Sequence, residues 1–476
     1  MGKTDRQSIN TVEFYRSFFK VGPLGKFLSW AAAFIFVLLP FHALLTTWAG
    51  SNTGHLDLWR IWKEIIIAIL VVPATYLLSS STQLRNWFRR SWLPRLIGLY
   101  FLLHLALAIW ALAADYTNTE ATTYALIINL RFLTFFLICL IIASHSDWLK
   151  RHWAKLLLIP AGLVVLFGLL QKLILPYDWL RHFGYRPDTT PAYQTVDASL
   201  DFKRIQSTLR GANPLGAYLT MVIPAAMMAI KRNWIFKTGL LIGSIYVLFF
   251  SYSRSAWIGT ALALALLAWW SVSHARRQNL VLLIAAAAVL ISAGGYYLAH
   301  YNQAAQKTLF HTNASSSSTA SSNAERVAAL KRGASDIIHQ PLGRGPGTAG
   351  PASFRNDGHQ PRVAENYYLQ IGQEAGMLGI ALFAAINILL ARELWRQRRD
   401  ILAKLLLASL AGISFINLVS HAWTDDTLSL MWWGLAGIAL GTALVNNKLK
   451  PSSELSRIRF RRLSSLREPS RKSTTR

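Results

Sequence analysis

The sequence has little of what characterises a soluble protein. It contains one cysteine, Cys139, in 476 residues, which excludes an intramolecular disulfide and a metal cluster built on several thiolates. Only 22 residues are acidic and 15% are charged, whereas 53% are hydrophobic. This composition is typical of a membrane protein. The formal net charge of +27 therefore predicts no nucleic-acid partner, and its meaning depends on the side of the membrane on which each basic residue lies.

Apolar stretches long enough to cross the roughly 30 Å hydrocarbon core recur along the chain. Twelve spans are predicted, at residues 27–49, 58–80, 92–114, 122–144, 154–174, 215–231, 234–252, 254–273, 279–299, 364–391, 401–421 and 427–447. The predicted fold is an all-α integral membrane protein. An even number of spans places both ends of the chain on the same side.

The basic residues gather on one side of this arrangement. The amino-terminal segment, every second connection and the tail together carry 32 of the 49 lysines and arginines. By contrast, the short connections "GSNTGHLDL", "DYTNTEA" and "HAWTDD" contain neither residue. Cytoplasmic loops are enriched in lysine and arginine. Both termini are therefore predicted to be cytoplasmic.

This topology divides the chain into segments with different roles. They are the cytoplasmic segment 1–26, spans one to five in 27–174, an external loop at 175–214, spans six to nine in 215–299, a large external loop at 300–363 between spans nine and ten, spans ten to twelve in 364–447 and a basic cytoplasmic tail at 448–476.

The large external loop contains three kinds of sequence. "TNASSSSTASSNAE" predicts a flexible serine-rich linker. "ERVAALKRGASDIIHQ" places Val327, Leu330, Ala334, Ile337 and Ile338 at helical spacing, which predicts a short amphipathic helix. "PLGRGPGTAGP" predicts a glycine-rich turn, with an anion-binding nest of backbone N–H groups as the alternative.

A lone arginine interrupts the apolar run "VLFFSYSRSAWIGTALAL". Arg254 lies between two spans joined by almost no loop, so it must lie at the interface or face a polar cavity. External arginines near the membrane suit an anionic ligand anchored in the bilayer, because one guanidinium bridges two phosphate oxygens. The alternative for the loop arginines is contact with lipid headgroups. Arg131, inside the fourth span, is predicted to pair with Glu64 and hold two helices together, with a place in the lining of the same cavity as the alternative.

Four motifs in order resemble a known family. "KRIQSTLRGANPLGAYLTMVIP", "SYSRSAWIG", "ERVAALKRGASDIIHQPLGRGPGT" and "ENYYLQIGQEAGMLG" are similar to motifs of the O-antigen ligase and polymerase superfamily of bacterial membrane proteins. The resemblance covers roughly residues 200–447. It implies a GT-C-like architecture in the cytoplasmic (inner) membrane, with the active site on the external, periplasmic side.

The resemblance also implies a reaction. Members transfer a glycan from an undecaprenyl pyrophosphate-linked donor to an acceptor hydroxyl, without a metal or another cofactor. The acceptor is lipid A core, in lipopolysaccharide biosynthesis, another glycan chain or a protein. The expected partners of this chain are therefore the lipid-linked donor, the acceptor and membrane lipids.

The same resemblance assigns candidate residues. Arg254 is the first candidate for stabilising charge on the leaving pyrophosphate. The further candidates for binding the pyrophosphate are Arg204, Arg210, Arg326 and Arg344.

The general base is where this chain departs from the family pattern. O-antigen ligases typically have a His-Asn pair at the start of the helix after the large loop, where this chain has Glu365 and Asn366. Glu365 itself and His359 are the candidate bases, while His339 is assigned to the turn. The alternative for Glu365 is an ordinary carboxylate in the first turn of a helix.

Two other classes of protein share parts of this pattern. A twelve-helix transporter has the same topology, and a lipid-carrier flippase also needs arginines for pyrophosphate. The unlike halves of the chain and the two long external loops favour chemistry at the external surface over transport. Ligase, polymerase and protein O-oligosaccharyltransferase differ in acceptor and stay open.

Overall fold

A computed structural model describes residues 22–196, 199–272 and 317–445, together with Gln278 and Tyr297. Within these ranges the protein is a bundle of helices with one short β-hairpin. The ninth predicted span at 279–299, apart from Tyr297, lies outside the described residues, as do residues 312–316 of the serine-rich segment and the basic tail at 448–476.

The first part of the chain consists of helices that cross the bundle and short helices that connect them. They are α1 (Pro23–Leu38), α2 (His42–Thr53), α3 (Leu56–Arg60), α4 (Trp62–Ser80), α5 (Thr82–Arg90), α6 (Trp92–Ala113), α7 (Thr119–His145) and α8 (Trp148–Leu173). A 3₁₀ turn at Leu39–Phe41 joins α1 to α2.

The second part begins with an antiparallel hairpin of β1 (Gln194–Val196) and β2 (Ser199–Arg204). The helices that follow are α9 (Ala212–Ala229), α10 (Trp234–Phe250), α11 (Arg254–Ser271), α12 (Ser317–His339), α13 (Tyr367–Arg396), α14 (Ile401–Asn417) and α15 (Asp426–Val445). Short 3₁₀ turns lie at Trp179–Phe183, Gly350–Arg355 and Ala422–Thr424. The sequence analysis did not predict the hairpin.

Eight stretches of the described chain are long and apolar enough to cross a membrane. They are Pro23–Thr53, which combines α1 and α2, and helices α4, α6, α7, α8, α9, α13 and α15. The shorter helices α10, α11 and α14 coincide with the predicted spans at 234–252, 254–273 and 401–421. The all-α membrane class is therefore confirmed, while the count of twelve spans stays a prediction.

The centre of the bundle is the contact between α7 and α15. Every residue of α15 from Leu428 to Leu440 is buried. Gly437 and Gly441 face the backbone of α7. A Cβ atom at Gly437 or Gly441 would collide with the carbonyl oxygens of Phe136 and Leu140. Small residues therefore allow the two helices to pack closely, as in other membrane bundles.

The long connections gather at one end of the bundle, which we call the predicted external end. The Asn118 amide donates to the carbonyl oxygen of Arg355 over 2.8 Å, and the Asn366 amide donates to that of Leu418 over 2.8 Å. Since these bonds join three different connections, the segments around residues 118, 355, 366 and 418 form one surface.

Helix α12 confirms the predicted helix in the large loop but begins earlier than expected. It starts at Ser317, so the segment predicted as a flexible linker is helical from that residue. Asp336 anchors the helix, since it accepts from the Gln373 amide over 2.7 Å and pairs with Arg362 at 2.5 Å. Of the predicted apolar face, Ile337 is buried, whereas Ile338 is 75% exposed.

The glycine-rich turn packs into a break in α13. Gly376 has φ 67° and ψ −169°, which interrupts the helix. The N–H of Met377 donates instead to Pro341 O over 2.8 Å. The N–H of Gly347 donates to the Glu374 carboxylate over 3.0 Å, which also accepts from the Asn129 amide over 2.7 Å. The Gly347 N–H group of the possible anion-binding nest is therefore bound by a carboxylate of the protein itself, that of Glu374.

Candidate functional site

A cavity of about 550 Å³ lies at the predicted external end. Its wall comes from α2, α3, α4 and α7, the segment 189–210, the turn at 351–355, and residues 424–427 at the start of α15. The wall is rich in charged groups, namely Asp57, Arg60, Lys63, Glu64, Arg131, Arg210, Arg355, Asp425 and Asp426. A cavity wall this polar within an apolar bundle marks the region as a candidate site.

Four of these charges form a buried cluster. Lys63 Nζ lies 2.9 Å from Asp426 Oδ2 and 3.1 Å from Glu64 Oε2. Arg131 pairs with Glu64 Oε1 at 2.7 Å and also with Asp426 Oδ1. Two cations and two carboxylates thus neutralise one another, which offsets part of the large desolvation cost of burying them.

His42 joins the buried cluster as a neutral ring. Trp62 Nε1–H donates to His42 Nδ1 over 3.0 Å, and an indole N–H is only a donor. Nδ1 is therefore the unprotonated nitrogen. His42 Nε2 carries the hydrogen and donates to Asp426 Oδ2 over 2.9 Å, so Asp426 is held by His42, Lys63 and Arg131 together.

The Arg131–Glu64 pair confirms the structural role predicted for Arg131. The same guanidinium also donates to Thr424 O over 2.9 Å. Because Thr424 ends the 3₁₀ turn before α15, Arg131 holds the segment that carries Asp425 and Asp426 against α4 and α7.

Arg210 differs from the other cations on the wall. Arg60 pairs with Asp57 at 3.3 Å, and Arg355 pairs with Asp57 at 3.6 Å and with Glu120. Arg210 is exposed and forms no ion pair within 4 Å with any described residue. It is thus the wall cation that no carboxylate of the described residues neutralises, and its donors face the cavity.

The positive charge of Arg210 acts on Asp425 and on His421. Burial raises the pKa of Asp425 above its ordinary value, although Arg210 opposes the shift. Burial and the positive charge of Arg210 lower the pKa of His421 to about 4. The His421 ring is therefore neutral at neutral pH. Its Nδ1 is buried and has no hydrogen-bond partner among the described groups.

The sequence analysis did not select His421. The residue lies in the connection "HAWTDD", which was used only for its lack of lysine and arginine. A histidine beside two carboxylates in a short external connection is a signal that the sequence does contain. Asp425 caps the amino-terminal end of α15, because its Oδ1 accepts from the N–H of Leu428 over 3.1 Å.

Arg204 lies beside the segment that carries Arg254. Its Nε donates to Ser251 O over 2.8 Å, and its guanidinium donates to Asn213 Oδ1 over 2.6 Å. Arg204 therefore joins the start of α9 to the end of α10. Arg254 is the half-buried first residue of α11 and is not part of the cavity wall.

Glu365 lies just before α13, not in its first turn. Asn366 is the N-cap and accepts from the N–H groups of Tyr368 and Leu369 over 2.9 Å and 3.0 Å. Glu365 has φ 48°, a left-handed conformation that is uncommon for a residue other than glycine. Tyr367, two residues after Glu365, donates its N–H to Ser420 O over 3.2 Å, so Glu365 lies near the connection that contains His421.

The remaining candidates lie elsewhere at this end. His359 is exposed in the loop after the 3₁₀ turn. Arg344 is half-buried on the glycine-rich turn, where its Nε donates to Gln340. Arg326 lies within α12, but its side chain is outside the described part of the structure. Neither His359 nor Arg344 lines the cavity.

The structure thus distributes the predicted site over neighbouring segments. Arg210 faces the cavity, Arg204 contacts the chain next to Arg254, and Glu365 lies beside residues 418–421. No group of three or more His, Cys, Asp or Glu side chains with the geometry for a metal ion occurs among the residues described. The roles assigned to these residues, and independence from a metal, stay predictions.

The apolar helices and the polar cavity at one end define a multi-pass, all-α membrane protein. The family model described as O-antigen ligase matches residues 239–384. The matched segment contains Arg254, Glu365 and the glycine-rich turn, and confirms the resemblance to the O-antigen ligase superfamily. The chain is accordingly similar to membrane glycosyltransferases of the ligase type. A search of curated proteins found no match.

Proposed function

We propose that the protein transfers a glycan from an undecaprenyl pyrophosphate-linked donor to an acceptor hydroxyl at the external face of the bacterial cytoplasmic membrane. The observation that carries this proposal is the state of Arg210. It is exposed on the cavity wall and forms no ion pair with a described residue, whereas Arg60, Lys63, Arg131 and Arg355 on the same wall are all paired.

The pyrophosphate binds near the start of α9 in this proposal. Arg210 precedes the helix, and Arg204 is held there by Asn213. The amino-terminal end of a helix attracts anions. Arg254 lies shortly after Ser251 in the chain, and the carbonyl oxygen of Ser251 accepts a hydrogen bond from Arg204. Three guanidinium groups near one helix terminus support binding of a group with several phosphate oxygens.

The reaction exchanges one bond at the anomeric carbon for another. The bond from that carbon to the pyrophosphate oxygen breaks, and a bond to the acceptor oxygen forms. The leaving pyrophosphate gains negative charge, which the arginines stabilise. The acceptor hydroxyl loses its proton to a general base. The donor and the acceptor supply every atom of the exchange, and no step requires an oxidant or a reductant.

Glu365 is the first candidate for that base. Its left-handed backbone is a costly conformation of the kind that clusters at functional sites, and the family places its base at this position. His421 is the candidate that the structure adds, since its neutral ring has an unpartnered Nδ1. Burial disfavours a charged imidazolium there, so Glu365 stays ahead of it. His359 lies in an exposed loop, which gives it the weakest support.

The test is a transfer assay with the purified protein in lipid. A radiolabelled lipid-pyrophosphate glycan is supplied with candidate acceptors and EDTA. We expect Arg254→Ala to lower kcat/KM about 10²–10³-fold, the range for removing one group that stabilises developing charge. Arg186→Ala, on an exposed part of the same end, is the matched control. Transfer undiminished in Arg254→Ala would overturn the proposal.

The acceptor decides between ligase, polymerase and protein O-oligosaccharyltransferase. All three use the same donor chemistry, so the same assay with lipid A core, glycan and peptide acceptors separates them. The product that forms fastest identifies the activity. EDTA-resistant transfer is the expected result for metal independence.

A lipid-carrier flippase is the second candidate function. It would need cations through the depth of the bundle. Of the cations on the cavity wall, Lys63 and Arg131 are buried in the bundle and both are neutralised by Glu64 and Asp426, which favours chemistry at the end. Movement of a labelled carrier across vesicles in the absence of any acceptor is the result that would favour the flippase.

A further inference from the structure

A second, smaller pocket lies at the same end of the bundle and shares no residue with the cavity. It has a volume of about 240 Å³. Three cations line it, Lys172 from the end of α8 and Lys203 and Arg204 from β2, and none of the lining residues that the structure describes is acidic. Like charges brought together repel one another, so this grouping calls for an anionic ligand.

Aromatic rings hold the two lysines in place. Lys203 Nζ lies 4.1 Å from the centre of the Tyr177 ring, and Lys172 Nζ lies 4.6 Å from that of Phe250. Tyr193 packs edge-on against Tyr177 with 4.7 Å between ring centres. A ring takes one face of an ammonium group. Each lysine thus keeps hydrogen-bond donors for a ligand.

The pocket is also part of the rigid frame of this end. Gln171 Oε1 accepts from the N–H groups of Gln206 and Ser207 over 3.2 Å and 2.9 Å. Ile205 N–H donates to Phe250 O over 3.0 Å. The segment after β2 is therefore tied to both α8 and α10, and the cations on either side keep their spacing.

The surroundings place the pocket at the level of lipid headgroups. Helix α8 has 26 residues, about 39 Å at 1.5 Å per residue, which exceeds the roughly 30 Å hydrocarbon core. Lys172 is its second-last residue. Leu173, Ile174 and Leu200 beside the pocket are 64%, 73% and 55% exposed. Exposed apolar side chains next to cations match the boundary between acyl chains and phosphates.

We propose that this pocket binds the phosphate group of a membrane lipid, at a site separate from the cavity. The apolar rim contacts the lipid chains, and Lys172 and Lys203 contact the phosphate, next to Arg204, whose guanidinium is held by Ser251 O and Asn213 Oδ1. Two lipids carry this chemistry, an anionic phospholipid such as phosphatidylglycerol and a polyprenyl phosphate. Binding of the first stabilises the external end of the protein, and binding of the second holds the carrier next to Arg204.

The test measures lipid retention by the full-length protein. Wild type and Lys172→Gln/Lys203→Gln are purified in nanodiscs, in one arm with phosphatidylglycerol diluted in phosphatidylcholine and in the other with undecaprenyl phosphate. Bound lipid is counted by native mass spectrometry. We expect at least fivefold less retention of one of the two lipids in the double variant. The arm that responds identifies the lipid.

Two controls keep the test decisive. Arg181→Gln/Arg186→Gln removes the same charge from the neighbouring external loop, outside the pocket, and should retain lipid as the wild type does. Lys172→Arg/Lys203→Arg keeps the charge and should also retain it, which separates lost binding from misfolding. Unchanged retention of both lipids in the glutamine variant overturns the proposal. Because glycan transfer is not the readout, this result is independent of the proposed function.

Discussion

Two groups of cations lie at the same end of this molecule and differ in their partners. Lys63 and Arg131 are buried and satisfied by Glu64 and Asp426. Lys172 and Lys203 contact aromatic rings, and Arg210 is exposed on the cavity wall. The charges of the first group are neutralised inside the protein, whereas the cations of the second group retain hydrogen-bond donors. Pairing, more than position in the sequence, thus separates a structural cation from a binding one.

The largest effect on the free energy of unfolding is expected at Asp426, which holds the buried cations. Asp426→Asn leaves Lys63 and Arg131 with one buried carboxylate between them. Breaking a buried ion pair on one side costs about 3–5 kcal/mol. Unfolding in detergent should show this loss of free energy. Asp57→Asn is the control, because the Asp57 side chain is 75% exposed and surface substitutions change stability by about 0.5 kcal/mol or less. Equal effects of the two changes would contradict the comparison.

Arg210 should show the opposite behaviour. Arg210→Ala removes an exposed guanidinium, so the free energy of unfolding should change by about 0.5 kcal/mol or less. Transfer should fall about 10²-fold or more, since a charge-stabilising donor is lost. Arg60→Ala provides the comparison on the same wall, because Arg60 already pairs with Asp57. A larger loss of transfer in Arg60→Ala than in Arg210→Ala would reverse the assignment.

Substitutions of Glu365 distinguish the effect of its left-handed backbone from the effect of its carboxylate. Asparagine tolerates the left-handed conformation, so Glu365→Asn keeps the shape of the turn while removing the carboxylate. We expect the thermal midpoint to stay within a few degrees and kcat/KM to fall about 10²-fold, the lower range for losing a general base. Glu365→Asp keeps a carboxylate and should recover part of the activity. Full activity in Glu365→Asn would shift the role to His421.

His421 should make stability depend on pH. Its pKa in the folded protein is about 4, below the ordinary value near 6.5, so the unfolded chain binds the proton first as the pH falls. Its contribution is therefore complete above pH 6.5 and is lost between pH 6.5 and about 4, by about 2–3 kcal/mol at most. His421→Gln should flatten this part of the curve. An unchanged curve would show that another group causes the dependence.

The spans were readable from the sequence because a bilayer imposes a length and an apolar composition on each helix. Arg131 with Glu64 was also readable, since a charged group inside a span needs a partner. The family motifs identified the segments that contain Arg254 and Glu365.

The cavity was not readable, because its wall joins residues that are distant in the chain. Lys63 and Asp426 meet only when α4 and α15 pack, and no local pattern announces that contact. The start of α12 at Ser317 was missed for a related reason. A serine-rich composition predicts a linker, but contacts of Asp336 and Ile337 with α13 stabilise the helix from its other end.

The break in α13 has a consequence for assembly. Gly376 lies nine residues after the start of the helix at Tyr367, about 14 Å along it, and the backbone freed there is satisfied by Pro341 and the glycine-rich turn. The turn therefore behaves as a re-entrant segment that completes a membrane helix from outside. Irregular backbone at that depth is tolerated only when protein covers it. The assembled helix therefore depends on the loop lying on the side of the bundle from which its glycine-rich turn can reach that gap.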